Sequence, residues 1–153
     1  MSENKHPWEG QIVDGKFELR SHLGGSDNGA VFATERDGQN AAIKIVRLSG
    51  DAADKQLAIW ARAANLSHPN VLPIYASGRC RISGGDAIYV VMERADEALA
   101  EILPQRALTA TEASEMLPPI LAGLEFLLGK GLCHGRMKPS NILAVGDLSL
   151  IHI

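Results

Sequence analysis

Leu23-Gly24-Gly25-Ser26-Asp27-Asn28-Gly29-Ala30-Val31-Phe32 is the stretch whose reading decides the fold. Before it, Phe17, Leu19 and Leu23 lie on one alternating face of Lys16–Leu23, a strand pattern. After it, Ala30–Thr34 reads as a second strand, so the two predict a hairpin with a glycine-rich tip. Glycine lets a backbone approach an anionic ligand and point N–H donors at it. An ordinary hairpin turn uses the same residues, so the loop alone leaves both readings open.

Working outward, Asp37-Gly38 is a turn signal, and Gln39–Arg47 reads as a third strand. Within it, Ala41-Ala42-Ile43-Lys44 sets one lysine on an otherwise apolar strand. Such a lysine needs a partner or an anion, unless its stem snorkels to the surface. Its distance from the glycine loop favours the anion. An alanine-rich helix follows from about Ala52 to Leu66, with Ser49 or Asp51 as caps, and His68-Pro69-Asn70 stops it. Val71–Arg81 and Ala87–Arg94 read as two more strands around a Ser83-Gly84-Gly85-Asp86 turn.

Beyond Glu93 the pattern becomes helical. Ala98–Leu103 is a short helix. Thr109–Lys130 is a long one, with Thr109 as cap, Glu112 at the capping-box position and Gly129 and Gly131 at its end. Pro118-Pro119 inside it predicts a kink or a restart. Leu132–Leu143 reads as a loop, followed by short apolar segments to Ile153. Residues 1–15 read as a loose leader, 16–95 as a small α+β lobe, and 96–153 as the start of a helical one.

Composition excludes several classes. The 153 residues carry 15 Lys+Arg against 18 Asp+Glu, a net charge of −3, and 46% are hydrophobic. That is a globular balance without the basic field of a nucleic-acid protein. The apolar runs Ala87–Met92 and Leu117–Leu124 fall far short of the roughly 20 residues of a membrane span. The first 15 residues lack a signal-peptide core, and Cys80 and Cys133 read as free thiols, so the expected location is cytoplasmic. The five histidines are scattered without metal spacing, which argues against zinc.

Five segments together carry a resemblance. They are the glycine loop, Ala42-Ile43-Lys44, Leu66-Ser67-His68-Pro69-Asn70-Val71, Val91-Met92-Glu93-Arg94-Ala95, and His134-Gly135-Arg136-Met137-Lys138-Pro139-Ser140-Asn141-Ile142-Leu143. In type and order they resemble the eukaryotic-type (serine/threonine) protein kinase family: glycine-rich loop, third-strand lysine, the segment after the C-helix, hinge and catalytic loop. The resemblance runs from about Lys16 to Ile153 and covers little more than the first half of a kinase domain. It implies an α+β, protein-kinase-like fold, with a five-stranded antiparallel N-lobe sheet, a C-helix and an incomplete helical C-lobe. It also implies an ATP site lined by Leu23, Gly24, Gly29, Val31, Ala42, Lys44, Met92 and Leu143, with the Glu93 and Ala95 backbone at the adenine edge. Asn141 is then the candidate Mg²⁺ ligand.

The departures bear on chemistry. Ser26 replaces the middle glycine of the loop. Arg136 falls on the catalytic aspartate, while Lys138 is retained. A guanidinium stays charged and cannot accept a proton. Counted from Asn141, the metal-binding aspartate falls at 154, or on His152 if the last turn is shorter. Asp147 comes too early and reads as a turn residue. Ile59 stands where the glutamate partner of Lys44 belongs. Phosphoryl transfer relies on placed charges. Three missing carboxylates therefore predict a catalytically impaired pseudokinase that serves as an ATP-binding or protein-interaction module. One alternative is a fragment of a serine/threonine kinase that transfers the ATP γ-phosphate to proteins. The other is a decayed remnant. Leu117, Ile120, Leu121, Leu124, Leu127 and Leu128 form a broad apolar helix surface, which predicts self-association or an unknown protein partner.

Overall fold

A computed structural model describes residues 4–26, 29–135, 137–146 and 148–152. The chain divides into two compact units, one built from residues 1–65 with 74–94, the other from residues 66–73 with 95–153.

The first unit is a five-stranded antiparallel sheet. Its strands are β3 (His22–Ser26), β4 (Gly29–Arg36), β5 (Gln39–Val46), β6 (Ile74–Ile82) and β7 (Gly85–Glu93), after the short hairpin β1 (Ile12–Val13) and β2 (Phe17–Glu18). The spatial order is β3-β4-β5-β7-β6. Helix α1 (Gly50–Ala63) joins β5 to β6 and buries Ala53, Trp60 and Ala63. Ser49 takes the N-cap position without a side-chain bond, and Asp51 lies in the first turn. Strand alternation sends Ala30, Phe32, Ile43, Ile45, Tyr89 and Val91 into one core cluster. The opposite parity of β4, β5 and β7 holds Val31, Ala42, Lys44, Val90 and Met92.

The stretch read as a loose leader is more ordered than that reading. Val13 is buried with Phe17 and Leu19 in the same core cluster, and Trp8 packs against it. The Tyr89 hydroxyl donates to an Asp14 carboxylate oxygen at 2.7 Å, and burial together with that carboxylate raises the phenol's pKa. Met1, Trp8, Ile12 and Val13 are the apolar side chains of the first 15 residues, and their spacing gives too weak a period to register as structure.

The second unit contains β8 (Glu97–Ala98), α2 (Leu99–Ile102), α3 (Ala110–Gly129), a 3-10 turn (Pro139–Asn141), β9 (Ile142–Val145) and β10 (Leu148–Ile151). Its small sheet has the order β10-β9-β8. The capping box forms as the sequence predicts. The Glu112 N–H donates to Thr109 Oγ1 at 3.1 Å, and the Thr109 N–H donates to Glu112 Oε1 at 3.0 Å. Arg106 clamps the Glu112 carboxylate with two bonds of 2.8 Å. That clamp, with the Thr109 backbone bond second, pulls the Glu112 pKa down to about 2.

Two boundaries shift by three residues from the sequence reading. Helix α1 ends at Ala63 rather than Leu66, and β6 begins at Ile74 rather than Val71. The cause is competition for backbone partners: Ile151 N–H donates to Asn70 O and Leu72 N–H to Ile151 O, so residues 70–72 bond to β10. Gly123 of α3 permits this approach, since a Cβ there would stand 2.9 Å from Asn70 O. Helix α3 runs through Pro118 and Pro119 without a restart. The carbonyls these prolines leave without intrahelical donors belong to Ser114 and Glu115, exposed residues where water can bond them.

The α3 leucines divide. Ile120 and Leu127 are buried with Val71, Leu132 and Ile151, and Leu124 packs against them. Leu117, Leu121 and Leu128 are 51%, 59% and 61% exposed. Among the described residues, no helix is long and apolar enough to cross a membrane.

Candidate functional site

In the first unit the candidate residues are positioned by strand register. Gly24 pairs with Val31, Val31 with Lys44, and Lys44 with Val90, forming one row across four strands. The next row of the same parity joins Ala33, Ala42 and Met92. Lys44 therefore stands half-buried in a field of small and branched apolar side chains. Leu23 falls at the register shift between His22 and Gly24, and Glu93 closes β7 opposite Ala41.

The loop glycines have different reasons to be glycine. A Cβ on Gly29 would lie 2.5 Å from the Ile45 carbonyl oxygen, and one on Gly25 would lie 2.9 Å from Gly29 O. Close strand approach thus requires both. A Cβ on Gly24 would meet nothing within 4 Å. Only Gly24 is left without a packing reason, and it lies in the Lys44 row. Asp27 and Asn28 of the tip lie outside the described residues.

Helix α1 contains no glutamate, and the position counted for one is the half-buried Ile59. Its acidic residues, Asp51 and Asp54, sit near its start. Asp54 pairs with Arg79 of β6, so the carboxylate that ties the helix to the sheet is spent on a surface arginine.

In the second unit, Asn141 ends the 3-10 turn and is buried. Its N–H donates to Lys138 O at 2.9 Å, and its carbonyl accepts from His152 N–H at 3.0 Å. His134 Nε2–H donates to the His152 carbonyl at 2.5 Å. That carbonyl can only accept, so the bond fixes the proton on Nε2. His152 is therefore the residue whose backbone bridges His134 and Asn141. It is 5% exposed and brings an imidazole where the shorter-turn count places the metal-binding carboxylate. Lys138 is exposed, and Arg136 lies outside the described residues, as does Asp147. Ala95 opens the second stretch of this unit. Leu143 pairs with Ala98 on the small sheet.

Asp96 is a positioning residue that the sequence reading missed. Its N–H donates to Ala144 O at 2.8 Å, and its carboxylate accepts from Gly146 N–H at 2.7 Å. A lone aspartate after Arg94-Ala95 carries no motif that announces this. A cavity of about 230 Å³ between α2, α3 and the small sheet, lined in part by Leu99, Ile102, Met116 and Leu143, was equally illegible.

Residues 17–152 match the family model described as Protein kinase domain. The chain belongs to the eukaryotic-type protein kinase family. Among kinase relatives, it is 30% identical over 143 residues to the probable serine/threonine-protein kinase SCO3848 of Streptomyces coelicolor, covering 88% of this chain and 21% of that one. It is 34% identical over 108 residues to mouse ribosomal protein S6 kinase alpha-2, covering 69% of this chain and 14% of the relative. The kinase domain of Mycobacterium tuberculosis PknI superposes with a TM-score of 0.75 at 20% identity, over 94% of this chain and 59% of that domain. That likeness supports the kinase fold. The chain thus spans 21% and 14% of the length of these two curated kinases.

ATP and Mg²⁺ are the general cofactors of a kinase domain. The first unit's apolar rows around Lys44 suit the base and phosphates of a nucleotide. Mg²⁺ is a hard ion that takes carboxylates. Among the described residues, no group of three or more His, Cys, Asp or Glu stands together to hold a metal. Asn141 offers one amide, and its neighbour His152 offers nitrogen.

Proposed function

We propose that this chain is a catalytically impaired kinase-like module that binds ATP or a protein partner without phosphoryl transfer. The observation that carries the reading is His152 beside Asn141, backbone-bonded at 3.0 Å, where metal binding calls for a carboxylate. Arg136 at the base position and Ile59 on α1 point the same way. Without these three carboxylates, neither the acceptor proton nor the metal charge is handled in the usual manner. Nucleotide binding then rests on apolar contact with Val31, Ala42 and Met92 and on the Lys44 charge.

The second reading is a segment of a serine/threonine kinase that phosphorylates proteins. Lys44, Lys138 and Asn141, all retained, favour it. Thermal unfolding of the chain with ATP, in Mg²⁺ and in EDTA, separates the two. The impaired module predicts a stabilisation of about 2.7 kcal/mol at 100 times the Kd, the same in both buffers. Stabilisation that requires Mg²⁺ favours the kinase segment, and the absence of a cooperative transition means that these 153 residues do not fold alone.

We further propose that α3 self-associates through Leu117, Leu121 and Leu128, with a second copy as the occupant. A protein of this composition in aqueous cytoplasm is the setting the proposal assumes.

A further inference from the structure

Within the first unit, the N-terminal segment docks on the β3–β4 hairpin through a histidine pair. The His6 and His22 rings stack with centroids 4.6 Å apart and planes 28° apart. Phe32 of β4 meets both, at 5.0 Å and 5.3 Å. Trp8 sets its edge against His6 at 5.1 Å. Two bonds fix the arrangement: Trp8 N–H donates to His6 Nδ1 at 3.2 Å, and His22 N–H donates to Glu9 Oε1 at 3.0 Å. Gly10 N–H donates to Leu19 O at 2.7 Å, and Leu19 N–H donates to Gln11 O at 2.8 Å, continuing the dock.

The Trp8 bond decides the protonation state. An N–H donor can reach Nδ1 only while that nitrogen keeps its lone pair, so docked His6 is neutral with its proton on Nε2. Protonation at Nδ1 replaces the acceptor with a second donor, breaks the bond and sets a cation on the stacked His22 ring. We propose that His6, stacked on His22, is a pH-sensitive latch that holds residues 4–11 against the β3–β4 hairpin while its own ring is neutral and releases them when that ring is protonated.

On balance the surroundings favour the neutral ring. Burial, followed by His22, lowers the His6 pKa from its ordinary 6.5, and Glu9 opposes them more weakly. Lys5 is the chain neighbour of His6. Arg47, at the end of β5, lies 5.0 Å from the Trp8 ring centroid. Phe32, from β4, brings no charge. Because the docked pKa is the lower one, docking is fully favourable above about pH 6.5 and weakens as pH falls toward the docked value.

Amide hydrogen exchange on the full chain between pH 8 and pH 5 tests the latch. Protection factors of the Trp8, Gly10 and His22 amides should fall below pH 6.5, approaching about tenfold per pH unit for one proton. Amides of Ile43 and Val91, in the middle strands, should hold. His6→Asn puts a non-titrating oxygen near the place of Nδ1 and should abolish the pH dependence. The His6 ring signal, followed by NMR in the unaltered chain, should titrate below 6.5 together with the loss of protection. Flat protection down to pH 5, parallel loss at Ile43 and Val91, or a His6 ring titrating at or above 6.5 overturns the proposal. So does an unchanged pH dependence in His6→Asn.

Discussion

Adding a single methyl group separates the two kinds of glycine in the hairpin. In Gly29→Ala the new Cβ would lie 2.5 Å from Ile45 O and 3.3 Å from Val46 Cγ2. The nearer atom is backbone, held in the β4–β5 ladder by the Gly29–Val46 and Ala30–Ile45 pairs, so it cannot swing aside. Relief requires strand displacement, and overpacking of this kind costs typically 1–3 kcal/mol. With a rigid ladder as the obstacle, about 2 kcal/mol is expected. For a chain of this size that lowers Tm by roughly 4–8 °C. Gly24→Ala is the control in the same hairpin: its Cβ meets nothing within 4 Å, and a Gly→Ala change without strain is neutral or stabilising by about 0.4–1 kcal/mol through the unfolded state. Circular dichroism melts and urea titrations of both variants read the difference. Equal losses in the two variants, or a Gly29→Ala chain within about 0.5 kcal/mol of the parent, would refute the packing account of this loop.

Three further outcomes follow from the second unit. Thr109→Ala should cost about 1 kcal/mol in urea unfolding, because it removes the α3 cap. The Glu112 carboxyl, lowered to about 2 by Arg106, adds stability that is complete above the ordinary value of 4.5 and is lost as pH falls from there toward 2. The stability difference between the parent chain and Glu112→Gln should shrink over that window. On α3, Leu121→Glu places a charge in the exposed leucine face and should convert an associating species to monomer in light scattering at tens of micromolar. A parent chain that is already monodisperse and monomeric sinks the self-association proposal.

Much of the fold is legible in the residues. Alternation of Phe32, Ile43, Ile45 and Val91 marks the sheet, and Thr109 with Glu112 marks the start of α3, because both signals are local and periodic. Lys44 stands out as a charge on an apolar strand, and the register sets it beside Val31. What escaped is non-local. The choice of residues 70–72 to bond with β10 depends on a strand some 80 residues later. The docking of Trp8 and Val13 depends on a sheet that the first 15 residues do not announce. The role of His152 arises from its backbone, whose bonds to His134 and Asn141 no side-chain motif encodes.

The proposed function requires that the metal-dependent half of the kinase site be lost while a nucleotide surface remains. ATP affinity of the chain, measured by calorimetric titration in Mg²⁺ and again in EDTA, tests it most directly. The account predicts a measurable Kd that agrees between the two buffers within about twofold, a difference below 0.5 kcal/mol. Binding that tightens tenfold or more in Mg²⁺ would contradict it, because the site would then still favour the metal-bound nucleotide.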